Sequence, residues 1–306
     1  MEKVSVIIPV YNKAKYISFA LQSVLNQTVK DIEIIVIDDG STDNLKEVIK
    51  PYLSRITFYE QKNQGASTAR NKGIEFAKGD FICLLDADDI WLPNKIEKQL
   101  DVFRLYPDCG LVYSNGIVID ENGEETGSII HNSRFRGYNG LIFRKLLMKN
   151  VIPTLSVVIK KKFIVNSLLF DSKYKASQDY DFWLRLAKKC EFYYINEVLF
   201  KYRITKDGIT AKYNEIMYQD HITILKNIDN EIKLNVIDKI FKQIGLSLHY
   251  YAWGKDLFIQ NQFSKARIKY ISSFLCFPLY VYPIAYILFS FIPIKIINII
   301  RRLKRL

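Results

Sequence analysis

Two carboxylates one residue apart, Asp86 and Asp88, follow the strongly apolar run Phe81-Ile82-Cys83-Leu84-Leu85. Hard oxygen donors at that spacing suit Mg2+ or Mn2+, ions that take one or two protein carboxylates and complete their shells with substrate phosphates. An acidic turn or a helix N-cap would use the same residues, so position gives the pair its weight. Two more polar clusters are built the same way: Ile32–Ile37 stops at Asp38-Asp39-Gly40-Ser41, and Val4–Val10 stops at Tyr11-Asn12.

The elements that must position these groups read as alternating strands and helices. β-branched apolar runs predict strands over Val4–Val10, Ile32–Ile37, Ile56–Glu60 and Asp80–Leu85, with helices over Tyr16–Leu25, roughly Asp43–Leu53 and Ala66–Ala77. That alternation implies right-handed βαβ crossovers and a parallel sheet with helices on both faces. Ligands of such sheets bind outside the carboxyl ends of the strands, so Tyr11, Asp39 and the Asp86–Asp88 pair would meet at one crevice. Beyond residue 110 the pattern is less regular: Leu111–Asp120 reads as a strand, Glu121-Asn122-Gly123-Glu124 as a turn, Leu155–Lys160 as a strand and Asp179–Lys188 as a helix. From about residue 215 the sequence is helical and basic. There, Trp253-Gly254, Ala266, Tyr270, Ser273 and Pro278 keep the offsets of one tetratricopeptide-like hairpin. A solenoid needs about three repeats, so a single helical hairpin is expected.

The 306 residues are 49% hydrophobic and 25% charged, a globular balance with room for a sizeable core. A net charge of +12 suits an anionic partner (nucleic acid, acidic lipid or phosphorylated substrate) or simply a solvated basic surface. No nucleic-acid motif is recognisable, so nucleic acid is not expected as a partner. Val10-Tyr11-Asn12 follows the first strand where a dinucleotide oxidoreductase would carry G-x-G-x-x-G. Cys83, Cys109, Cys190 and Cys276 lie far apart among only three histidines, which argues against zinc and for a reduced, cytosolic compartment. No secretory signal is read before the first strand.

Four blocks carry a family resemblance: Val4-Ser5-Val6-Ile7-Ile8-Pro9-Val10-Tyr11-Asn12, Ile35-Val36-Ile37-Asp38-Asp39-Gly40-Ser41-Thr42-Asp43, Asn63-Gln64-Gly65-Ala66-Ser67-Thr68-Ala69-Arg70-Asn71-Lys72-Gly73 and Leu85-Asp86-Ala87-Asp88-Asp89. In order and spacing they resemble the family 2 glycosyltransferases. The resemblance implies an α/β GT-A fold, a Rossmann-like mixed sheet flanked by helices, and inversion at the sugar carbon. It implies that Pro9 and Tyr11 line the base pocket, that Asp39 hydrogen-bonds the base (typically uracil), and that Arg70 helps hold the nucleotide. Asp86 would approach ribose and metal, and Asp88 would ligate Mn2+ or Mg2+ on the donor diphosphate. Taken singly, Tyr11 also fits a half-buried strand-end aromatic and Arg70 a helix-surface cation.

Gln178-Asp179-Tyr180-Asp181 resembles the family's acidic helix start, where Asp179 matches the general base and Asp181 competes with it; a carboxylate there also serves as a mere helix-dipole partner. Tyr202-Arg203-Ile204-Thr205 resembles a late Tyr-Arg-x-His element, with Thr205 in place of His and Lys206 next to it. The Gln-x-x-Arg-Trp signature of processive synthases is absent, which argues for one sugar per visit. The expected activity is metal-dependent transfer from a nucleotide-sugar donor, a UDP-sugar, to a glycan or lipid-linked acceptor of the cell envelope. A catalytically inactive nucleotide-binding scaffold and a basic nucleic-acid-binding protein are the competing readings.

The expected organisation is a catalytic domain over residues 1–215 (donor half 1–110, acceptor half 111–215) and a helical region over 216–306, with a membrane-associating tail over 274–306. Phe274–Ile294 has no charge and precedes Lys295, Arg301, Arg302, Lys304 and Arg305. Pro278, Pro283 and Pro293 interrupt it, and Lys265, Arg267 and Lys269 flank its other side. An interfacial or re-entrant helix pair on the cytoplasmic face of an anionic membrane fits this best; a single span and a buried soluble helix are the alternatives.

Overall fold

Every residue of Val4–Val10 is buried, as a run of Val, Ile, Ser and Pro must be in a strand covered on both faces. This is β1 of a computed structural model that describes residues 2–131, 137–164, 169–205 and 214–291. β2 (Ile32–Asp38) pairs with it in parallel from Val4–Ile32 to Val10–Asp38. β4 (Phe81–Leu84) pairs on its other side only as far as Ile7. Pro9, which has no N–H to donate, therefore stands where β1 has outrun β4. β3 (Thr57–Glu60) extends the sheet beyond β2.

The crossover helices are α1 (Ala14–Leu25), α2 (Leu45–Ile49, prolonged by a 3-10 turn over Lys50–Tyr52) and α3 (Ala66–Phe76). α1 buries Ile17, Ala20, Leu21 and Val24, the i, i+3, i+4, i+7 stripe of a helix laid on a sheet. α3 lies closer still: a Cβ on Gly73 would come within 2.3 Å of Ile7 Cγ2.

Later elements are β5 (Ile90–Trp91), α4 (Lys95–Leu105), β6 (Cys109–Ile119), β7 (Glu125–Ile129), α5 (Phe143–Met148), β8 (Val158–Lys160), α6 (Gln178–Leu186) and β9 (Glu191–Arg203). The described residues form one nine-stranded sheet in the order β3-β2-β1-β4-β8-β6-β9-β5, with β7 on β6. The parallel sheet expected from βαβ alternation holds for β3-β2-β1-β4. Beyond it, β8 runs antiparallel to β4 and to β6, β5 runs antiparallel to β9, and β6 and β9 pair in parallel. The sheet is therefore mixed, as the family resemblance implied. Two successive reversals turn β6 and β9 back to the direction of β1, so the carboxyl end of β9 opens on the same edge as Tyr11 and Asp39. The region read as a strand over Leu155–Lys160 divides into a 3-10 turn over Thr154–Ser156 and β8.

The chain forms two compact units, Met1–Phe143 with Val151–Lys212, and Arg144–Asn150 with Tyr213–Leu306. The second holds α7 (Asn214–Glu231), α8 (Val236–Ile259), α9 (Phe263–Cys276) and α10 (Tyr282–Phe289). Asn235 and Asp238 close a capping box at the start of α8. α8 and α9 make a hairpin whose turn passes through Asn261 at φ 63°. Its interface uses the residues singled out in the sequence: Ala266, Tyr270 and Ser273 are fully buried, and a Cβ on Gly254 would meet the Tyr270 ring at 2.8 Å. Among the described residues no helix is long and apolar enough to cross a membrane.

The contact of Gly73 with Ile7 makes a direct test of this packing. Gly73→Val should destabilise the protein by about 1–3 kcal/mol through overpacking, read as a lower denaturant midpoint at unchanged m-value. An unaltered midpoint would mean that α3 and β1 are not held this closely.

Candidate functional site

The carboxyl ends of β1, β2 and β3 are laced together by their backbones. Asp39 N–H donates to Val10 O at 2.8 Å and Gln61 N–H to Asp38 O at 2.9 Å. Gly40 follows at φ 78°, and a Cβ there would lie 2.9 Å from Asn63 N, so a side chain is excluded on both counts. Asn12 adopts φ 51°, and its Oδ1 accepts from Thr42 N–H at 2.7 Å. Asp43 Oδ2 accepts from Ala14 N–H at 2.8 Å, so the cap of α1 comes from the loop after β2.

Asp39 is buried, and its carboxylate is the organiser of the next loop. Its Oδ1 accepts from Gln61 Nε2 and Gln64 N–H and its Oδ2 from Gly65 N–H, all at 2.8 Å. A carboxylate has about four acceptor positions, which leaves one for a ligand N–H. Tyr11 projects beside it, 47% exposed at the mouth of the strand, while Pro9 is buried within β1.

The acidic turn begins one residue past β4, with Leu85 N–H bound to Ile7 O at 3.0 Å. Asp86 pairs with Arg70 of α3 at 2.6 Å; the guanidinium is almost wholly buried and lies over the Phe170 ring at 5.7 Å. Asp88 pairs with Lys13 at 2.7 Å, and the same ammonium donates to Thr205 Oγ1 at 3.3 Å. Arg203, at the end of β9, donates its backbone N–H to Asp89 Oδ1 and its Nε to Asp88 O, both at 2.8 Å. Asp89 is buried, and its pKa is raised by burial first and then by the charges of Asp88 and Asp86. Lys13 and Phe170, which nothing in the sequence singled out, join Arg70, Asp86 and Asp88, together with Asp89 and Arg203 of the motifs quoted above. Lys206, the cation suggested beside Thr205, lies outside the described residues.

Among the described residues no group of three or more His, Cys, Asp or Glu side chains forms a ready metal cage. The donor chemistry at the acidic turn still fits a hard divalent ion. Asp88 and Asp86 supply carboxylate oxygens, both side chains remain partly open to solvent, and Mg2+ and Mn2+ fill the remaining positions from phosphate and water.

Asp179 and Asp181 are distinguished by burial. Asp181 is 1% exposed, and its Oδ2 accepts from Arg185 Nε at 3.0 Å and from Arg185 Nη2 at 2.6 Å. Asp179 is only half-buried at the first turn of α6; its Oδ2 accepts from Thr154 Oγ1 at 3.3 Å. α6 is tied to α3 through Phe170, whose ring stacks on Phe182 at 4.4 Å and whose backbone exchanges two 2.8 Å bonds with Asn71. Ser177 Oγ and Gln178 Oε1, just before Asp179 in the chain, are buried without a hydrogen-bond partner among the described residues.

The chain is similar to known proteins. Residues 5–165 match the family model described as glycosyl transferase family 2. An uncharacterized glycosyltransferase of Methanocaldococcus jannaschii is 37% identical over 236 residues, 74% of this chain and 80% of its own length. A Rickettsia typhi glycosyltransferase is 34% identical over 202 residues, which span 66% of this chain and 64% of that protein. TuaG of Bacillus subtilis, named for teichuronic acid biosynthesis, is 32% identical over 213 residues, 68% of this chain and 81% of its own. Among solved structures, TarS 1-349 of S. aureus in complex with UDP-GlcNAc superposes with TM-score 0.69 at 18% identity, covering 94% of this chain and 89% of that one. The mannosyltransferase PcManGT of Pyrobaculum calidifontis, in complex with GDP-Man and Mn2+, gives TM-score 0.62 at 16% identity, with coverage of 89% and 74%. The mixed sheet and its flanking helices are thus those of the GT-A fold, and the chain belongs to the family 2 glycosyltransferases.

Proposed function

We propose that this glycosyltransferase carries one sugar per visit from a UDP-sugar to a hydroxyl of a cell-envelope or lipid-linked glycan, with inversion and with a divalent cation. The observation that carries this reading is the meeting, at one edge of the sheet, of the Asp39 loop with an acidic turn held by Arg70, Lys13 and Arg203. The UDP-GlcNAc complex of TarS and the name of TuaG support the donor and acceptor classes. The absence of Gln-x-x-Arg-Trp supports single addition.

In this reading the exposed Tyr11 ring stacks on the base and the remaining acceptor position of Asp39 takes its N–H. Arg70 stands beside the nucleotide and orients Asp86. Asp88, with Asp86 next to it, would hold Mn2+ or Mg2+, which supplies Lewis-acid neutralisation of charge on the departing diphosphate. Lys13 brings a cation to the same place and touches Thr205, where many relatives carry His. Asp179 accepts the proton of the acceptor hydroxyl as that oxygen attacks the sugar carbon and the nucleoside diphosphate leaves from the opposite side. Much of the acceleration comes from holding donor and acceptor aligned.

Asp179→Asn should lower kcat by about 10²-fold or more while the Kd for UDP stays within about twofold of wild type. Asp181→Asn should instead lower the Tm, because it weakens a buried pair with Arg185. Full turnover by the Asp179 variant would remove it as the base.

Lys13→Met should weaken UDP binding by about 10-fold in chelator, the loss expected for one charge-assisted contact. Chelator should abolish transfer by the wild type, and Mn2+ or Mg2+ should restore it. Calorimetry with UDP and a transfer assay with added EDTA measure both; turnover undiminished by EDTA would remove the metal from the reaction.

A further inference from the structure

We infer that the outward faces of α9 and α10 form a docking surface for an anionic lipid leaflet. α9 buries one side completely, through Ala266, Tyr270 and Ser273, against α8. The opposite side of an ordinary surface helix is polar. Here it carries Ile268, Ile271 and Leu275, which are 61%, 47% and 71% exposed at i, i+3 and i+7. α10 and the second residue beyond it repeat the pattern with Ile284, Leu288 and Phe291, 40%, 67% and 65% exposed at i, i+4 and i+7. Two successive helices with apolar stripes turned to solvent form the kind of surface that soluble monomers do not leave uncovered.

Charge selects the occupant. Asp256 is the last acidic residue of the chain; eight basic residues and no acidic one follow it, two-thirds of the net charge of +12. The Arg267 guanidinium lies over the Phe291 ring at 4.2 Å and the Lys269 ammonium over the Trp253 ring at 3.4 Å, so α9 holds cations against aromatic rings of the same unit. Tyr251 meets the rings of Tyr280 and Tyr286 edge-on at 5.4 and 5.5 Å, and tyrosine is a residue of membrane interfaces. A second copy of the chain would bring like charges together across a two-fold contact. A layer of apolar chains beneath anionic headgroups satisfies both stripe and charge. With eight residues α10 is far short of the ~20 that cross a bilayer, so the hairpin lies on the leaflet. The face is independent of the sugar-transfer chemistry, and its failure would leave that reading untouched.

The test is co-sedimentation of the full chain with vesicles of phosphatidylcholine, with and without phosphatidylglycerol, at low and high salt. The wild type is compared with the triple variant Ile271→Gln, Leu275→Gln, Leu288→Gln, whose sites are exposed and whose circular dichroism should be unchanged. The wild type should bind the phosphatidylglycerol vesicles and release at high salt. The variant should bind at least ~10-fold more weakly, since its apolar anchors are gone, while hydrolysing soluble donor at the wild-type rate. Equal partitioning of the two proteins would overturn the assignment to this face. A wild type that ignores both vesicles would hand the face to a protein partner, and a wild-type dimer made monomeric by the substitutions would hand it to a second copy.

Discussion

Three carboxylates within four residues stand at the end of β4, and one of them, Asp89, is buried. At 4 Å and an effective dielectric near 20, each like-charge pair would cost about 4 kcal/mol if uncompensated. Compensation comes from three directions: Arg70 on α3 grips Asp86, Lys13 before α1 grips Asp88, and Arg203 at the end of β9 grips the backbone of Asp88 and the carboxylate of Asp89. Each cation belongs to a different part of the chain, so electrostatic balance at the turn also ties the first loop, the third helix and the end of β9 to it. The same compensation leaves a partly open patch of oxygens with cations beside it, which is the environment a metal-bound diphosphate requires.

Stability and ligand preparation are joined in the other site groups as well. Asp39 spends three acceptor positions on the 61–65 loop, and the loop so ordered leads into α3, which carries Arg70. Arg70 in turn packs on Phe170, and Phe170 stacks on Phe182 of the helix that carries Asp179. A single path of packed side chains and hydrogen bonds therefore runs from Asp39 to the helix that carries Asp179. Asn71 and Phe170 both lie on this path.

What the sequence disclosed follows from where burial is uniform. β1, β2 and β4 are buried on both faces and read as unbroken apolar runs, so their carboxyl ends, and with them Tyr11, Asp39, Asp86 and Asp88, could be placed. β9 escaped notice because register shifts interrupt its pairing with β6, and Asn196 and Glu197 break its alternation there. α4 escaped for the opposite reason: Lys95 and Gln99 occupy buried positions on it. Lys95 donates to Gln99 Oε1 at 2.7 Å and lies over the Trp91 ring, and its pKa is lowered by burial to about 8. A buried lysine defeats any reading by hydrophobic periodicity. Lys13 could not be matched with Asp88 from spacing alone, since 75 positions separate them and only the β1–β4 pairing brings them together.

The most direct measurement is an anomalous difference map from a crystal grown with UDP and Mn2+. The account predicts one strong Mn2+ peak at the Asp88 carboxylate, in contact with the diphosphate, with uracil on the Tyr11 ring and against Asp39. Nucleotide bound elsewhere on the chain, or an ion held away from Asp88 while Lys13 keeps its pairing, would contradict it.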